Sequence, residues 1–153
     1  MEPRLKKFKS HLAKFSKIAL DTPCLLYHVE QNPKYVNLTE IIFEEVLPVG
    51  RMQAIASTLL LTETLAGPFA DNRMDLIFDY KSMLLGFPNL TLYPLSVEIA
   101  ERAGYLRGVY RLGTPDAIHI ATAIDQNASA ILTNDAKWKR IKEIAVLVLD
   151  DYC

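Results

Sequence analysis

The chain has 153 residues, of which 50% are hydrophobic, and its formal net charge is −1. This length suits one packed domain and is too short for two of ordinary size. No segment approaches the roughly 18 consecutive apolar residues of a transmembrane helix, and two cysteines are too few for a disulfide framework. We therefore expect a single cytoplasmic domain without a transmembrane segment.

The first residues are basic, whereas the rest of the chain is acidic. Residues 1–17 carry six Lys or Arg side chains and one acid, which leaves 11 bases and 17 acids elsewhere. Leu5, Phe8, Leu12 and Phe15 recur at helical spacing among these bases, which predicts an amphipathic helix. We divide the chain into a basic amphipathic extension, residues 1–16, and a folded domain, residues 17–153. The extension could dock on the domain, bind RNA or a protein partner, lie on a membrane surface, or be disordered.

Short apolar segments alternate with helical patterns in the remainder of the chain. Strands are predicted over residues 17–21, 53–57, 90–95, 129–133 and 145–149. Helices are predicted over residues 23–30, from about 34 to 47, and over 58–66, 73–85, 96–111, 114–126 and 136–141. Gly67 and Pro68 are expected to end the third helix. This alternation predicts a three-layer α/β/α sandwich with a mostly parallel sheet of roughly five strands.

Four acids fall where this arrangement brings the chain to one edge of the sheet. Asp21 ends the first strand, and Asp135 lies two residues beyond the fourth. Glu63 lies early in the helix that leaves the second strand. Asp116 lies in the first turn of a helix that runs back toward the start of the fourth strand. Because functional groups collect outside the carboxyl ends of parallel strands, we expect the four carboxylates to converge.

Converging carboxylates repel one another, and burial strengthens the repulsion. A hard divalent cation among them would offset it, and carboxylates without His or Cys ligands favour Mg²⁺ or Mn²⁺. Such a cation can activate water and offset charge at a phosphate. The pattern therefore indicates a site for a divalent cation among Asp21, Glu63, Asp116 and Asp135, and such a site can support hydrolysis of a phosphodiester.

The four acids lie in four sequence blocks: Ile18–Thr22, Ser57–Glu63, Pro115–Ala123 and Leu132–Asp135. These blocks resemble those of PIN-domain nucleases, in particular the bacterial VapC-like toxins, over roughly residues 17–150. The resemblance implies a PIN-like fold and an endoribonuclease that depends on Mg²⁺ or Mn²⁺, forms a homodimer and is silenced by a small antitoxin protein. It also implies that Asp21, Glu63, Asp116 and Asp135 are the catalytic and metal-binding residues. Thr22 and Thr133 would be polar neighbours of this site. The chain departs from the family pattern in having about 16 residues before the first strand.

Two interpretations stay open for the segment after Asp135. Lys137, Lys139 and Arg140 could hold RNA phosphates while Trp138 stacks on an unpaired base. Alternatively, the bases form a solvated helix face and Trp138 packs inward. 

His119 follows Asp116 by one helical turn. We interpret it as a half-buried packing residue and not as a metal ligand, because the carboxylates suffice as ligands.

Two other functions are alternatives. The chain could be a PIN-fold module that binds nucleic acid or protein and has lost its chemistry. It could also be a phosphatase or phospho-acceptor protein that uses Asp21. The second alternative is weaker, because phosphatases of the haloacid-dehalogenase type need Asp-x-Asp after the first strand, whereas Thr22 and Pro23 follow Asp21.

Overall fold

The computed structural model describes residues 1–153 and contains one sheet of five strands. The strands are β1 (Lys17–Leu20), β2 (Gln53–Ser57), β3 (Leu90–Tyr93), β4 (Ala130–Thr133) and β5 (Ala145–Val148). Their spatial order is β3-β2-β1-β4-β5, and every neighbouring pair is parallel. The predicted five-stranded sheet is therefore confirmed, and all five carboxyl ends lie at the same edge.

Seven α-helices accompany the strands: α1 (Pro3–Leu12), α2 (Thr22–Val29), α3 (Val36–Glu40), α4 (Leu59–Ala70), α5 (Met74–Gly86), α6 (Val97–Tyr110) and α7 (Thr114–Asp125). A π-helical segment, Ile41–Val46, continues α3 directly, and 3-10 turns at Ala136–Arg140 and Leu149–Tyr152 flank β5. None of the helices combines the length and the apolarity needed to cross a membrane.

Alternating side chains of the strands build one apolar core on each face of the sheet. In β1, Ile18 and Leu20 belong to the first core and Ala19 belongs to the second, as the two-residue repeat of a strand requires. The first core also receives side chains from α1 to α5, and the second from α6 and α7. The structure is thus the three-layer α/β/α sandwich that the sequence predicts.

The prediction that Gly67 and Pro68 end a helix is wrong. Helix α4 continues through both residues to Ala70. The last turn is completed by the amide of Asp71, which donates to the carbonyl of Gly67 at 3.0 Å. A proline removes only its own N–H and already has a helical φ, so near the end of a helix the remaining hydrogen bonds can carry the chain past it.

Helix α1 docks on the domain through its apolar side chains. Phe8 and Leu12 are buried in the first core, and the Phe8 ring lies 4.9 Å from that of Tyr152, centroid to centroid. The Arg4 guanidinium donates to the carbonyl of Cys153, the last residue of the chain. Among the alternatives for the N-terminal extension, the structure therefore shows docking against the C-terminal turn.

Candidate active site

One open cleft at the carboxyl edge of the sheet brings together all four predicted acids. Asp21, Glu63, Asp116 and Asp135 line a cavity of about 430 Å³. The remaining lining residues are Pro23, Tyr27, Asn134 and Trp138. Each acid comes from a different part of the chain: the end of β1, α4, α7 and the loop after β4.

Asp21 is the most firmly held of the four acids. Asp21 is only 7% exposed to solvent. One carboxylate oxygen, Oδ1, accepts the amide N–H of Thr22 at 2.8 Å, and the other, Oδ2, accepts the hydroxyl of Thr133 at 2.7 Å. Burial raises the pKa of Asp21 above its ordinary value, although nearby His119 and both hydrogen bonds act in the opposite direction. Both oxygens are thus fixed in place at a cost in desolvation.

The two threonines predicted as polar neighbours lie beside this carboxylate. Thr22 and Thr133 are both buried. The Thr133 hydroxyl also accepts the amide N–H of Asp135 at 3.1 Å, which links Asp135 to Asp21 through a single side chain. Asp135 caps the turn that follows, since its Oδ1 accepts the Lys137 amide at 2.9 Å.

Asp116 lies in the first turn of α7, where the sequence places it. Burial raises its pKa above the ordinary value, and the charges of Asp135 and Glu63 raise it further. The indole N–H of Trp138 opposes this rise. Trp138 Nε1 is buried and forms no hydrogen bond in the structure.

The four acids interact electrostatically and have no lysine or arginine partner. The charge of Asp116 raises the pKa of Asp21, just as Asp135 and Glu63 raise that of Asp116. The ion pairs of Lys and Arg in this chain all lie elsewhere. Histidine is therefore the only basic side chain that pairs with any of the four acids.

That histidine is His119, and its interpretation as a half-buried packing residue needs correction. Its side chain is only 1% exposed, and Nε2 lies 2.5 Å from Glu63 Oε1 and 4.0 Å from Asp21 Oδ1. The sequence signal was the spacing of three residues from Asp116, which places both side chains on one face of α7. The bond to Glu63 has no local signal, because it joins two separate helices.

The sequence also does not predict a polar network that lies at the rim of the cleft. The rings of Tyr27 and Tyr35 stack with centroids 4.1 Å apart. Asn134 Nδ2 donates to both hydroxyls, at 3.3 and 2.9 Å, and its Oδ1 accepts the Asp150 amide at 3.0 Å. The Tyr35 hydroxyl donates to Asp150 at 2.8 Å. In sequence, Asn134 shows only ordinary turn chemistry.

For the segment after Asp135, the structure favours inward packing of Trp138. This residue is only 1% exposed and belongs to the second core, so its ring offers no open face for stacking on a base. Lys137 and Arg140 are exposed. Lys139 is exposed as well and forms an ion pair with Asp151 at 2.7 Å.

The donor chemistry of the cleft suits a hard divalent cation, although the ligands are not preassembled. Carboxylate oxygens are the side-chain ligands that Mg²⁺ and Mn²⁺ prefer. No group of three or more Asp, Glu, His or Cys side chains is arranged to hold a metal ion as it stands. Oε1 of Glu63 is engaged by His119, and both oxygens of Asp21 accept hydrogen bonds. Binding would therefore require at least one carboxylate to reorient.

The fold and the cleft define a parallel α/β/α protein with a carboxylate site at the carboxyl edge of its sheet. The family model for the PIN domain matches residues 18–144. The chain belongs to the PIN domain family, which confirms the family resemblance of its four sequence blocks.

Solved structures with the same fold include three VapBC or toxin-antitoxin proteins. One is VapBC2 from Rickettsia felis bound to a DNA fragment from its promoter. It is 20% identical to this chain and has a TM-score of 0.66, and the match covers 86% of this chain and 98% of that one. A toxin-antitoxin complex from Klebsiella pneumoniae is 21% identical with a TM-score of 0.66, over 86% and 97%. VapBC-1 from nontypeable Haemophilus influenzae is 16% identical with a TM-score of 0.64, over 88% and 98%. At these identities the likeness shows the fold alone. No curated protein matches the chain.

Proposed function

We propose that this protein is a Mg²⁺- or Mn²⁺-dependent endoribonuclease and the toxin of a toxin-antitoxin pair. The observation that carries the proposal is the gathering of Asp21, Glu63, Asp116 and Asp135 in one cleft without a lysine or arginine partner. Unpaired acids that share a partly buried site destabilise a fold. A cationic ligand would offset this cost, and membership of the PIN domain family supports the nuclease assignment.

The four acids are proposed as the catalytic and metal-binding residues. Asp21 supplies a fixed carboxylate, because Thr22 and Thr133 hold both of its oxygens. Asp116 and Asp135 are only partly buried and can be reached from the open cleft. A bound divalent cation would supply an activated water and offset the charge that develops on a phosphate.

RNA is proposed as the substrate, held by positive charge beside the cleft. Lys137, Lys139 and Arg140 are exposed on the turn that directly follows Asp135. Basic side chains at such a position can contact the phosphates that flank the cleaved bond. These contacts would position the RNA backbone against the four acids.

An antitoxin protein is proposed as a partner, together with homodimerisation and a cytoplasmic location. The likeness in fold to VapBC complexes supports the antitoxin. Helix α5 also exposes Met74, Phe78 and Leu85 around an apolar groove of about 520 Å³. An exposed apolar groove of this kind suits a protein partner.

Cleavage of RNA by the purified protein tests the proposal. We expect cleavage with Mg²⁺ or Mn²⁺ and a loss of at least about a hundredfold in Asp21→Asn and in Asp116→Asn, since even residues that only support a metal ligand are typically worth 10- to 100-fold. Asp79→Asn is the matched control, because Asp79 is exposed on α5 outside the cleft.

Cleavage at the wild-type rate by both cleft variants would contradict the proposal. If the wild-type protein binds RNA and the divalent cation without cleaving RNA, the alternative of a PIN-fold binding module is favoured instead.

A further inference from the structure

The two ring nitrogens of His119 differ: Nε2 has polar partners at the acidic cleft, and Nδ1 has no partner. Nε2 lies 2.5 Å from Glu63 Oε1, while Nδ1 is buried and has no hydrogen bond. A buried histidine with a purely structural role ordinarily has hydrogen-bond partners at its polar atoms. Here the hydrogen bonding of the ring is directed to the acidic cleft alone.

The two side chains differ strongly in exposure. The side chain of His119 is 1% exposed and that of Glu63 is 35% exposed. The histidine is therefore an anchor enclosed by the protein, whereas the glutamate reaches into the open cleft. Thr22 Oγ1, 3.4 Å from Nε2, lies on the same side of the ring.

Without this anchor, Glu63 would tend to turn away from the cleft. It carries the same charge as Asp116 and raises the pKa of that carboxyl, and a partly exposed glutamate has several rotamers that point to water. A carboxylate can only accept hydrogen bonds, so Nε2 must carry the proton and donate it to Oε1. That bond opposes the repulsion and leaves Oε2 to act as a ligand.

We propose that His119 is a positioning residue that holds the Glu63 carboxylate in the cleft by donating a hydrogen bond from Nε2, a role that rests on the proposed nuclease function of the cleft. Helix α7 thus supplies two groups to the cleft: the acid Asp116 and, one turn later, the buried donor His119. His119 holds Glu63, the acid that α4 supplies. The bond also lowers the pKa of the Glu63 carboxyl.

A matched pair of substitutions separates hydrogen bonding from packing. His119→Gln keeps an N–H donor at about the reach of Nε2, and His119→Met has the same length without a donor. We expect kcat for RNA cleavage to fall about 10- to 100-fold in His119→Met and to be largely restored in His119→Gln. If both variants keep the wild-type kcat, or both lose it equally while remaining folded, the positioning role is contradicted.

A second measurement does not depend on cleavage. The ¹⁵N resonances of the His119 ring in the wild-type protein are expected to report a protonated Nε2, and Glu63→Gln is expected to shift the Nε2 resonance more than Asp135→Asn does. Equal shifts, or an unprotonated Nε2, would overturn the proposal even if RNA is cleaved. If the expected shifts are found in a protein that does not cleave RNA, the hydrogen bond stands and the proposed function fails.

Discussion

The acidic cleft and the contact between α1 and the C-terminal turn are built from opposite kinds of interaction. Under α1, Phe8 and Leu12 are buried against other apolar groups, including Tyr152. Burial of such side chains contributes roughly 1.5–3 kcal/mol each. In the cleft, burial instead raises the pKa of Asp21 and Asp116, which shows that the ionised carboxylates are held against a desolvation cost.

Folding alone explains the contact of α1, whereas the acidic cleft needs a further explanation. The docking of α1 is accounted for by the hydrophobic effect together with polar contacts such as that of Arg4 with the Cys153 carbonyl, so its residues need no ligand to explain them. The carboxylates of the cleft repel one another and have no basic partner apart from His119. The proposed cationic ligand would account for their convergence, so stability and activity should respond to different substitutions in the two regions.

Phe8→Ala is expected to have the largest effect on stability. Truncation of a fully buried phenylalanine should lower the free energy of unfolding by about 3–5 kcal/mol, measured by urea denaturation. Cleavage of RNA per folded molecule should stay at the wild-type level, because α1 lies outside the cleft. Lys6→Ala, at an exposed position of the same helix, is the control. If both variants lose equally little stability, α1 is not docked in solution.

Tyr35→Phe is expected to have an intermediate effect at the rim of the cleft. The substitution removes the hydroxyl that donates to Asp150 and accepts from Asn134. One intramolecular hydrogen bond is worth about 0.5–1.5 kcal/mol, and we expect a loss of that order in the free energy of unfolding. Tyr93→Phe is the matched control. Unlike the hydroxyl of Tyr35, the hydroxyl of Tyr93 forms no hydrogen bond to another side chain. An equal loss in both variants would show that the network contributes nothing.

The smallest expected effect is a change in how stability depends on pH. Because the pKa of Asp21 is raised by folding, the folded state binds more protons than the unfolded state between the ordinary value of 3.8 and the raised one. The contribution of Asp21 to stability therefore falls as pH rises through that window. Asp21→Asn lacks this titration.

We expect the free energy of unfolding of Asp21→Asn, relative to wild type, to increase as pH rises above 3.8, the ordinary pKa of an aspartate. Urea denaturation of both proteins at each pH measures it. Asp79→Asn should show no such trend, and a difference that is constant with pH for Asp21→Asn would contradict a raised pKa.

Local sequence patterns predicted the parts of the fold that depend on local rules. The strand that ends before Asp21 and the helix that begins before Asp116 follow from apolar runs and from proline at a first turn. Convergence of the four acids also followed, because the parallel order of the strands places their carboxyl ends together. Pro68 was misjudged because its effect depends on how many hydrogen bonds remain in the turn around it.

The parts of the site that were missed depend on contacts between distant segments. The bond between His119 and Glu63 joins α7 to α4, and its formation is set by the distance between those helices and by two rotamers. The network of Tyr27, Tyr35 and Asn134 likewise joins α2, the turn before α3 and the loop after β4. No periodicity in the sequence reports such distances.

Binding of Mn²⁺, followed by electron paramagnetic resonance, tests most directly whether the four carboxylates share a cation. We expect saturable binding to the wild-type protein and to Asp79→Asn, with a loss of affinity of at least about a hundredfold in Asp21→Asn and in Asp116→Asn. No saturable binding to the wild-type protein, or unchanged affinity in both cleft variants, would contradict the account.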